Sequence, residues 1–195
     1  MSYFVLLDSS NTSLSVGLGK EDELLDFVSY EAWQEQSEHM IPELNYLLDK
    51  HNVSKDDISG IIVSVGPGSY TGVRIAITIA KVMATVLKCD LFTVSSLRVL
   101  KDGNNPSICL INARSNRSYI GVYEGDKIIL EDQIMANDKV IEYINEHKKY
   151  TVCGNVNYLS LKGHESNICK EMMSLKKSLT ATPNPMAVSP IYMRD

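Results

Sequence analysis

The chain has 195 residues, of which 44% are hydrophobic, and this suffices for one large domain or two small ones with a buried core. A net charge of −5 argues against a protein that holds nucleic acid through its own basic surface, but it leaves room for a basic partner. No apolar run approaches the about 18 residues of a membrane span, the N-terminus lacks the basic region of a secretory signal, and the four cysteines form no CxxC pair. We therefore expect a cytoplasmic protein with reduced thiols and no membrane association.

The residue pattern in the first half of the chain predicts a mixture of strands and helices. A short apolar run over 3–7 and an alternating segment over 12–19 predict the two arms of a hairpin, and 24–30 is a third strand. An apolar stripe at helical spacing predicts a helix over 37–50. A strand at 61–65, a helix at about 71–87, a strand at 91–94 and a short helix ending at Leu100 follow.

After a linker over 101–106, rich in turn-forming residues, the pattern starts again. Strands are predicted over 107–112, 118–123 and 127–135, followed by a helix capped by Asn137, a strand at 150–153 and a helix over 168–179. Because the order of three strands and a helix occurs twice, we predict two related α/β domains, an N-terminal one over 1–103 and a smaller, shortened one over 104–195.

A glycine-containing loop, Gly66-Pro67-Gly68-Ser69-Tyr70-Thr71-Gly72, joins a predicted strand to a predicted helix. Backbone N–H groups at such a junction can hold an anion, and glycines there also allow a tight turn and close packing. The spacing matches neither the dinucleotide fingerprint nor a Walker A loop. Asp8, at the end of the first strand, is a second candidate for a phosphate or metal loop, although the following Ser9-Ser10-Asn11 favours an ordinary turn. Asp8, Gly66, Gly68 and Gly72 are thus weak candidates for cofactor binding.

The predicted helix over 71–87 is apolar on more than one side. Arg74, Thr78, Lys81, Thr85 and Lys88 form one polar stripe, and apolar residues span roughly 220° of the rest. A sheet covers only one side of a helix, so this helix also packs against another helix, either its own neighbour or a partner chain.

The sequence has no GxSxG motif and no histidine pair at metal-binding spacing, so a peptidase is the weakest interpretation.

Residues 66–75, GPGSYTGVRI, closely resemble the GPGSFTGxRIG signature of the TsaB (YeaZ) family. Five further segments resemble that family in order: Leu7–Ser10, Gln36–Pro42, Val94–Leu97, Asn112–Arg114 and Pro190–Arg194. The chain departs from the family pattern at Gln36, where the family usually has His, at Asn112, where it usually has Asp, and in a shorter second half.

The resemblance implies an α/β protein of the actin-like/Hsp70-like ATPase fold (ASKHA), with two related domains that each have a mixed sheet and flanking helices. It implies a non-catalytic subunit that binds and supports TsaD, together with the ATPase TsaE, in making threonylcarbamoyladenosine on tRNA. The subunit would have no cofactor of its own, with ATP and metal on the partner proteins. It would reach tRNA only through the complex, and it could form a homodimer when TsaD is absent. The positions of the TsaD metal pair correspond here to Ser96 and Leu100, neither of which provides an imidazole.

The resemblance further implies that the first two long helices form the TsaD contact. The expected contact residues are Met40, Leu44, Leu48, Ile75, Ile79 and Val82. The alternative is a small-molecule kinase or ATPase of the same fold, with Asp8 and magnesium acting beside the glycine-containing loop.

Overall fold

The computed structural model describes residues 2–32 and 34–193. The first sheet contains β1 (Tyr3–Asp8), β2 (Ser13–Lys20), β3 (Glu23–Glu31), β4 (Ile58–Ser64) and β5 (Asp90–Val94), and its helices are α1 (Gln36–Lys50) and α2 (Tyr70–Leu87). The second sheet contains β6 (Ser107–Arg114), β7 (Arg117–Glu124), β8 (Lys127–Ala136) and β9 (Thr151–Cys153), accompanied by α3 (Asn137–Glu146). Helix α4 (Ile168–Leu175) follows near the C-terminus.

The two sheets repeat one topology. The first has the order β3-β2-β1-β4-β5 and the second β8-β7-β6-β9. In each, three antiparallel strands are extended by parallel pairing, of β1 with β4 and of β6 with β9. These observations confirm the predicted α/β class with two mixed sheets and flanking helices, which is the actin-like/Hsp70-like arrangement.

Alternation along β1 divides the core of the first sheet into two layers. Val5 and Leu7 pack with α1 and α2, whereas Leu6 packs with the buried side chains of α4. Helix α4 therefore covers the face of the first sheet opposite α1 and α2, although it follows the second sheet in the chain. The boundary between 103 and 104 separates the strands of the two sheets, and the division into 1–103 and 104–195 stays a prediction because α4 packs against the first sheet.

Several predicted boundaries differ from the structure by a few residues. Helix α1 begins at Gln36 rather than at residue 37, with Glu35 at the cap position. Asn137 is the first residue of α3 rather than its cap, and the helix predicted to reach residue 179 ends at Leu175, before a 3₁₀ turn. Terminal turns of helices are the parts that sequence patterns locate least well.

Helix α2 has the length and composition of a membrane span, with a mean hydropathy of 1.4 over 18 residues. This differs from the expectation that no segment approaches such a span. One third of it is buried inside the protein, where Val73, Ala76 and Ala80 contribute to the core. Its apolar composition is explained on that side by packing on the sheet, whereas Val82 and Val86 are exposed.

Candidate functional site

The glycine-containing loop between β4 and α2 is closed by hydrogen bonds within the protein. The Ser69 N–H donates to the Ser10 carbonyl at 2.7 Å, and the Gly72 N–H donates to Ser69 Oγ at 3.2 Å, which caps α2. The Gly66 N–H donates to Ser96 Oγ at 3.1 Å. These three N–H groups, which an anion-binding loop would direct at its ligand, thus already have partners.

The glycines of the loop are required by contact with the turn after β1. A Cβ atom at Gly68 would lie 2.2 Å from the Ser10 carbonyl oxygen, and one at Gly72 would lie 1.9 Å from that of Ser9. Ser9 Oγ donates a hydrogen bond to the Gly72 carbonyl at 2.8 Å, which holds the turn after β1 against the glycine-containing loop. The space beside these glycines is therefore filled by protein backbone, as the packing interpretation of the loop expects.

Asp8 is buried beneath this junction. Its carboxylate accepts hydrogen bonds from Ser10 Oγ at 2.8 Å and from the Ser10 N–H at 3.4 Å. Burial raises the pKa of Asp8, and nearby hydroxyl groups of Ser64 and Ser10 only partly offset that effect. Asp8 is thus enclosed by its own turn and by β4, which agrees with the turn interpretation.

A cleft of about 510 Å³ separates the two sheets. It is lined by Ser10–Thr12 and Gly68–Thr71 from one side and by Ile111–Arg114 and Tyr119 from the other. Of the four weak candidates for cofactor binding, only Gly68 reaches its wall. Asp8, Gly66 and Gly72 are buried.

The outward side of α2 is apolar and only partly covered by the described part of the chain. Ile75 and Ile79 are half-buried, whereas Val82 is 52% and Val86 72% exposed. The second apolar group of the helix, including Val73, Ala76 and Ala80, lies against the sheet. The expectation of two apolar sides is therefore correct.

Three of the six expected contact residues do not face outward. Met40, Leu44 and Leu48 are 0%, 2% and 4% exposed and belong to the core under the first sheet. Their assignment as contact residues is wrong, because a side chain buried in its own chain cannot contact a partner. The stripe of α1 marked the buried side of that helix, and helical spacing alone does not say which apolar stripe meets the sheet.

The exposed residues of α1 instead border a shallow groove of about 580 Å³ between α1 and α2. Its apolar walls come from Ile41, Tyr70, Ile75 and Ile79. Ile41 and Tyr70 were not among the expected contact residues. Ile41 follows directly after the buried Met40. Its position next to the buried apolar stripe of α1 was the sequence feature that could have identified it as a residue of the groove.

The two departures from the family pattern have local roles. Gln36 is buried and its Nε2 donates to the Asn11 carbonyl at 3.2 Å, which ties α1 to the turn after β1. Asn112 Oδ1 accepts from the Arg114 N–H at 2.8 Å, where the chain leaves β6 with positive φ at Arg114. In the closing segment, Tyr192 stacks on Tyr70, while the last residue of the matching motif, at position 194, lies outside the described residues.

Within residues 2–32 and 34–193, no three His, Cys, Asp or Glu side chains are grouped so that they could hold a metal ion. Of the two positions that the resemblance assigns to the metal pair, Ser96 Oγ accepts a hydrogen bond from the Gly66 N–H and Leu100 belongs to a hydrophobic cluster. Both side chains therefore serve the packing of the protein itself.

The sequence of this chain is similar to that of a known protein family. A family model described as TsaD, tRNA N6-adenosine threonylcarbamoyltransferase, matches residues 27–188. The tRNA threonylcarbamoyladenosine biosynthesis protein TsaB of Bacillus subtilis (strain 168) is 30% identical over 177 residues, which cover 86% of this chain and 73% of that protein. This chain belongs to the TsaB (YeaZ) family.

Two solved structures from Pseudomonas aeruginosa show the same fold as this TsaB-family chain. One, described as having similarity to the peptidase YeaZ, has a TM-score of 0.82 at 20% identity and covers 100% of both chains. The other, YeaZ, has a TM-score of 0.78 at 20% identity and covers 99% of this chain and 100% of its own. The fold of these two proteins thus extends over 99–100% of this chain.

Proposed function

We propose that this chain is a non-catalytic subunit of tRNA threonylcarbamoyladenosine biosynthesis that binds and supports TsaD. The name of the Bacillus subtilis relative and the match to the TsaD family model support the pathway. The subunit role depends on one observation, the exposed apolar side of α2. We call Ile41, Ile75, Ile79, Val82 and Val86 the docking face.

The docking face has the properties of a protein interface. Val82 and Val86 are more than half exposed, although they lie on a regular helix whose opposite side is fully packed. The apolar groove beside them continues to Ile41 of α1. Contiguous apolar surface of this kind is costly in water and is stabilised when a partner covers it.

The closed glycine-containing loop and the buried Asp8 support a non-catalytic role. Phosphate binding needs free N–H donors, and three of those in the loop are already used. Magnesium chemistry needs an ionised carboxylate that the substrate can reach, whereas Asp8 is enclosed and its pKa is raised. ATP and metal then belong to the partner proteins TsaD and TsaE, and the subunit reaches tRNA through the complex.

A charged substitution on the docking face tests whether this surface binds TsaD. We expect Val82→Glu to raise the Kd for TsaD from the same organism by at least about 100-fold, because a carboxylate would be buried in an apolar interface. Sedimentation velocity of the mixture measures the complex directly. Ile129→Glu, at a 44% exposed apolar position on β8, is the matched control and should pair normally.

Two results would contradict the proposal. One is equal pairing of Val82→Glu and the unchanged chain with TsaD across micromolar concentrations. The other is tight ATP binding by the isolated chain that is lost in Asp8→Ala, which would favour a kinase or ATPase. Sedimentation of the chain alone also tests whether the same face forms a homodimer when TsaD is absent.

A further inference from the structure

A cavity of about 300 Å³ lies where the end of β5 meets β7 and β8 of the second sheet. The C-terminal segment over 179–193 closes one side of it with apolar side chains. Its other walls carry polar and charged side chains, including Ser95, Arg98, Tyr123, Glu131 and Asp132. Binding sites for small molecules begin at about this volume, and they combine an apolar lining with a few placed polar groups.

The apolar side of the cavity is held in place by the backbone of the C-terminal segment. The Thr182 N–H donates to the Leu91 carbonyl at 2.8 Å, and the Ile191 N–H donates to the Val65 carbonyl at 2.7 Å. Leu179 and Ile191 of this segment line the cavity. Because this wall is already ordered, a ligand that contacts it does not have to supply the entropy of fixing it.

Asp132 is the carboxylate of the cavity whose orientation is best defined. Its two oxygens accept hydrogen bonds from Ser95 Oγ and from the Tyr123 hydroxyl. Burial and the adjacent Asp132 carboxylate raise the pKa of Tyr123, so its hydroxyl keeps its proton and donates it in that bond. A carboxylate has about four acceptor positions, so Asp132 can accept further hydrogen bonds from a ligand.

The backbone of the second sheet is shaped to bring Asp132 to this place. The register between β7 and β8 shifts beside Gly121, where β8 has one extra residue. Such a bulge re-aims the side chains of its strand. A Cβ atom at Gly121 would lie 2.6 Å from the Tyr123 hydroxyl and closer still to Asp132, so only glycine leaves room for the pair.

Arg98 supplies a positive charge that its own chain uses only in part. The side chain is 18% exposed, and its Nη2 donates to the Asp126 carbonyl at 3.2 Å. The carboxylate of Asp126 is 3.8 Å from Nη2 and 80% exposed, which makes it a weak partner. Arg98 Nε is buried and has no hydrogen-bond partner among residues 2–32 and 34–193. A buried donor without an acceptor is costly, and an acceptor on a ligand would remove that cost.

The charges around the cavity indicate the chemistry of its ligand. Glu131 adds a second carboxylate to that of Asp132, and Arg98 is of opposite sign. A simple anion would meet the two carboxylates, and a simple cation would leave Arg98 Nε without an acceptor. A molecule that carries both an ammonium and a carboxylate group complements all three side chains through charge-assisted hydrogen bonds.

We propose that this cavity binds a small zwitterion, an α-amino acid with an aliphatic side chain. Its carboxylate pairs with Arg98, and its ammonium group pairs with Asp132 and Glu131. Its side chain lies against Leu179 and Ile191. The site shares no residue with the docking face, so it does not depend on pairing with TsaD.

The test follows one atom of the isotope-labelled full chain by nuclear magnetic resonance. The Nε–H resonance of Arg98 is identified by its absence in Arg98→Lys. L-Valine should move this resonance to saturation with a Kd at or below about 1 mM. Isobutylamine lacks the carboxylate of valine and isovalerate lacks its amino group, so each should bind at least about tenfold more weakly.

Variants test the two charges, with affinity measured from the backbone amide resonances of the cavity. Arg98→Lys and Glu131→Gln should each raise the Kd for L-valine at least about tenfold, because each removes a charge-assisted contact. Glu124→Gln is the matched control, since Glu124 is also exposed and lies on β7 of the same sheet. Equal circular dichroism and melting temperatures establish that the variants fold.

Three results would overturn the proposal. The first is an Arg98 Nε–H resonance that L-valine does not move. The second is an L-valine affinity that is the same in Arg98→Lys, Glu131→Gln and the unchanged chain, which would place binding elsewhere. The third is binding of isobutylamine or isovalerate as tight as that of L-valine. Val82→Glu should bind L-valine as the unchanged chain does, so failure of this proposal is distinguishable from failure of the docking face.

Discussion

Replacing Gly72 by alanine tests the interpretation that the glycine-containing loop serves packing. Gly72 lies in the first turn of α2, where helix propensity alone predicts that alanine stabilises the protein by about 1 kcal/mol. The added Cβ would lie 1.9 Å from the Ser9 carbonyl oxygen, whereas ordinary contacts begin at 3.4 Å. The tertiary contact therefore predicts the opposite sign.

The magnitude follows from what has to move. Overpacking costs about 1–3 kcal/mol, and the upper end applies because the obstacle is backbone rather than a flexible side chain. Displacing the turn also weakens the hydrogen bond from Ser9 Oγ to the Gly72 carbonyl, which adds about 1 kcal/mol. After the gain in propensity, we expect a net loss of about 3 kcal/mol, or a melting temperature lower by about 6–12 °C for a protein of this size.

Urea denaturation followed by circular dichroism measures this loss. Gly103→Ala is the control, because no atom lies within 4 Å of its added Cβ and only the positive φ of 55° is unfavourable, at about 1–2 kcal/mol. If Gly72→Ala is as stable as the unchanged chain, the close contact between the loop and the turn after β1 is refuted, and the loop regains room for a ligand.

Two further predictions concern buried charges. Burial raises the pKa of Asp8 above its ordinary value of 3.8. The stability that Asp8 contributes is therefore complete below pH 3.8 and is lost as the pH rises through the raised pKa. The stability of Asp8→Asn relative to the unchanged chain should increase from acid to neutral pH, and a pH-independent difference in urea titrations would contradict this. Lys101 Nζ and Glu171 Oε2 form a buried ion pair at 2.7 Å, so Lys101→Met should lower the free energy of unfolding by about 3–5 kcal/mol by leaving a buried carboxylate unpaired. The double variant with Glu171→Leu should recover much of that loss, and additive losses would show that the two side chains act independently.

Most of the fold could be predicted from local patterns. Alternation and β-branched runs located the strands, and the repeated order of three strands and a helix indicated two related sheets, because those signals depend only on neighbouring residues. The position of α4 could not be predicted in this way. It packs on the first sheet after the chain has completed the second, and nothing local specifies which sheet its apolar side covers.

The candidate site was predictable in part. The signature around Gly66–Gly72 and the two apolar sides of α2 were visible in the sequence, because glycine positions and helical spacing are local features. The assignment of Met40, Leu44 and Leu48 as contacts failed, since an apolar stripe fits a core and an interface equally well.

Local patterns along the chain are enough to assign the family, the order of the elements and the candidate residues near β1 and the glycine-containing loop. The roles of those residues follow from contacts that form when the chain folds. The tertiary structure places the Ser9 carbonyl where a phosphate would need space, and it directs Val82 toward solvent and Met40 into the core. It also brings Tyr192 onto Tyr70 from far along the chain. The physical reason is that burial and exposure depend on which segments meet in space, and those contacts join residues whose separation along the chain carries no periodic signal.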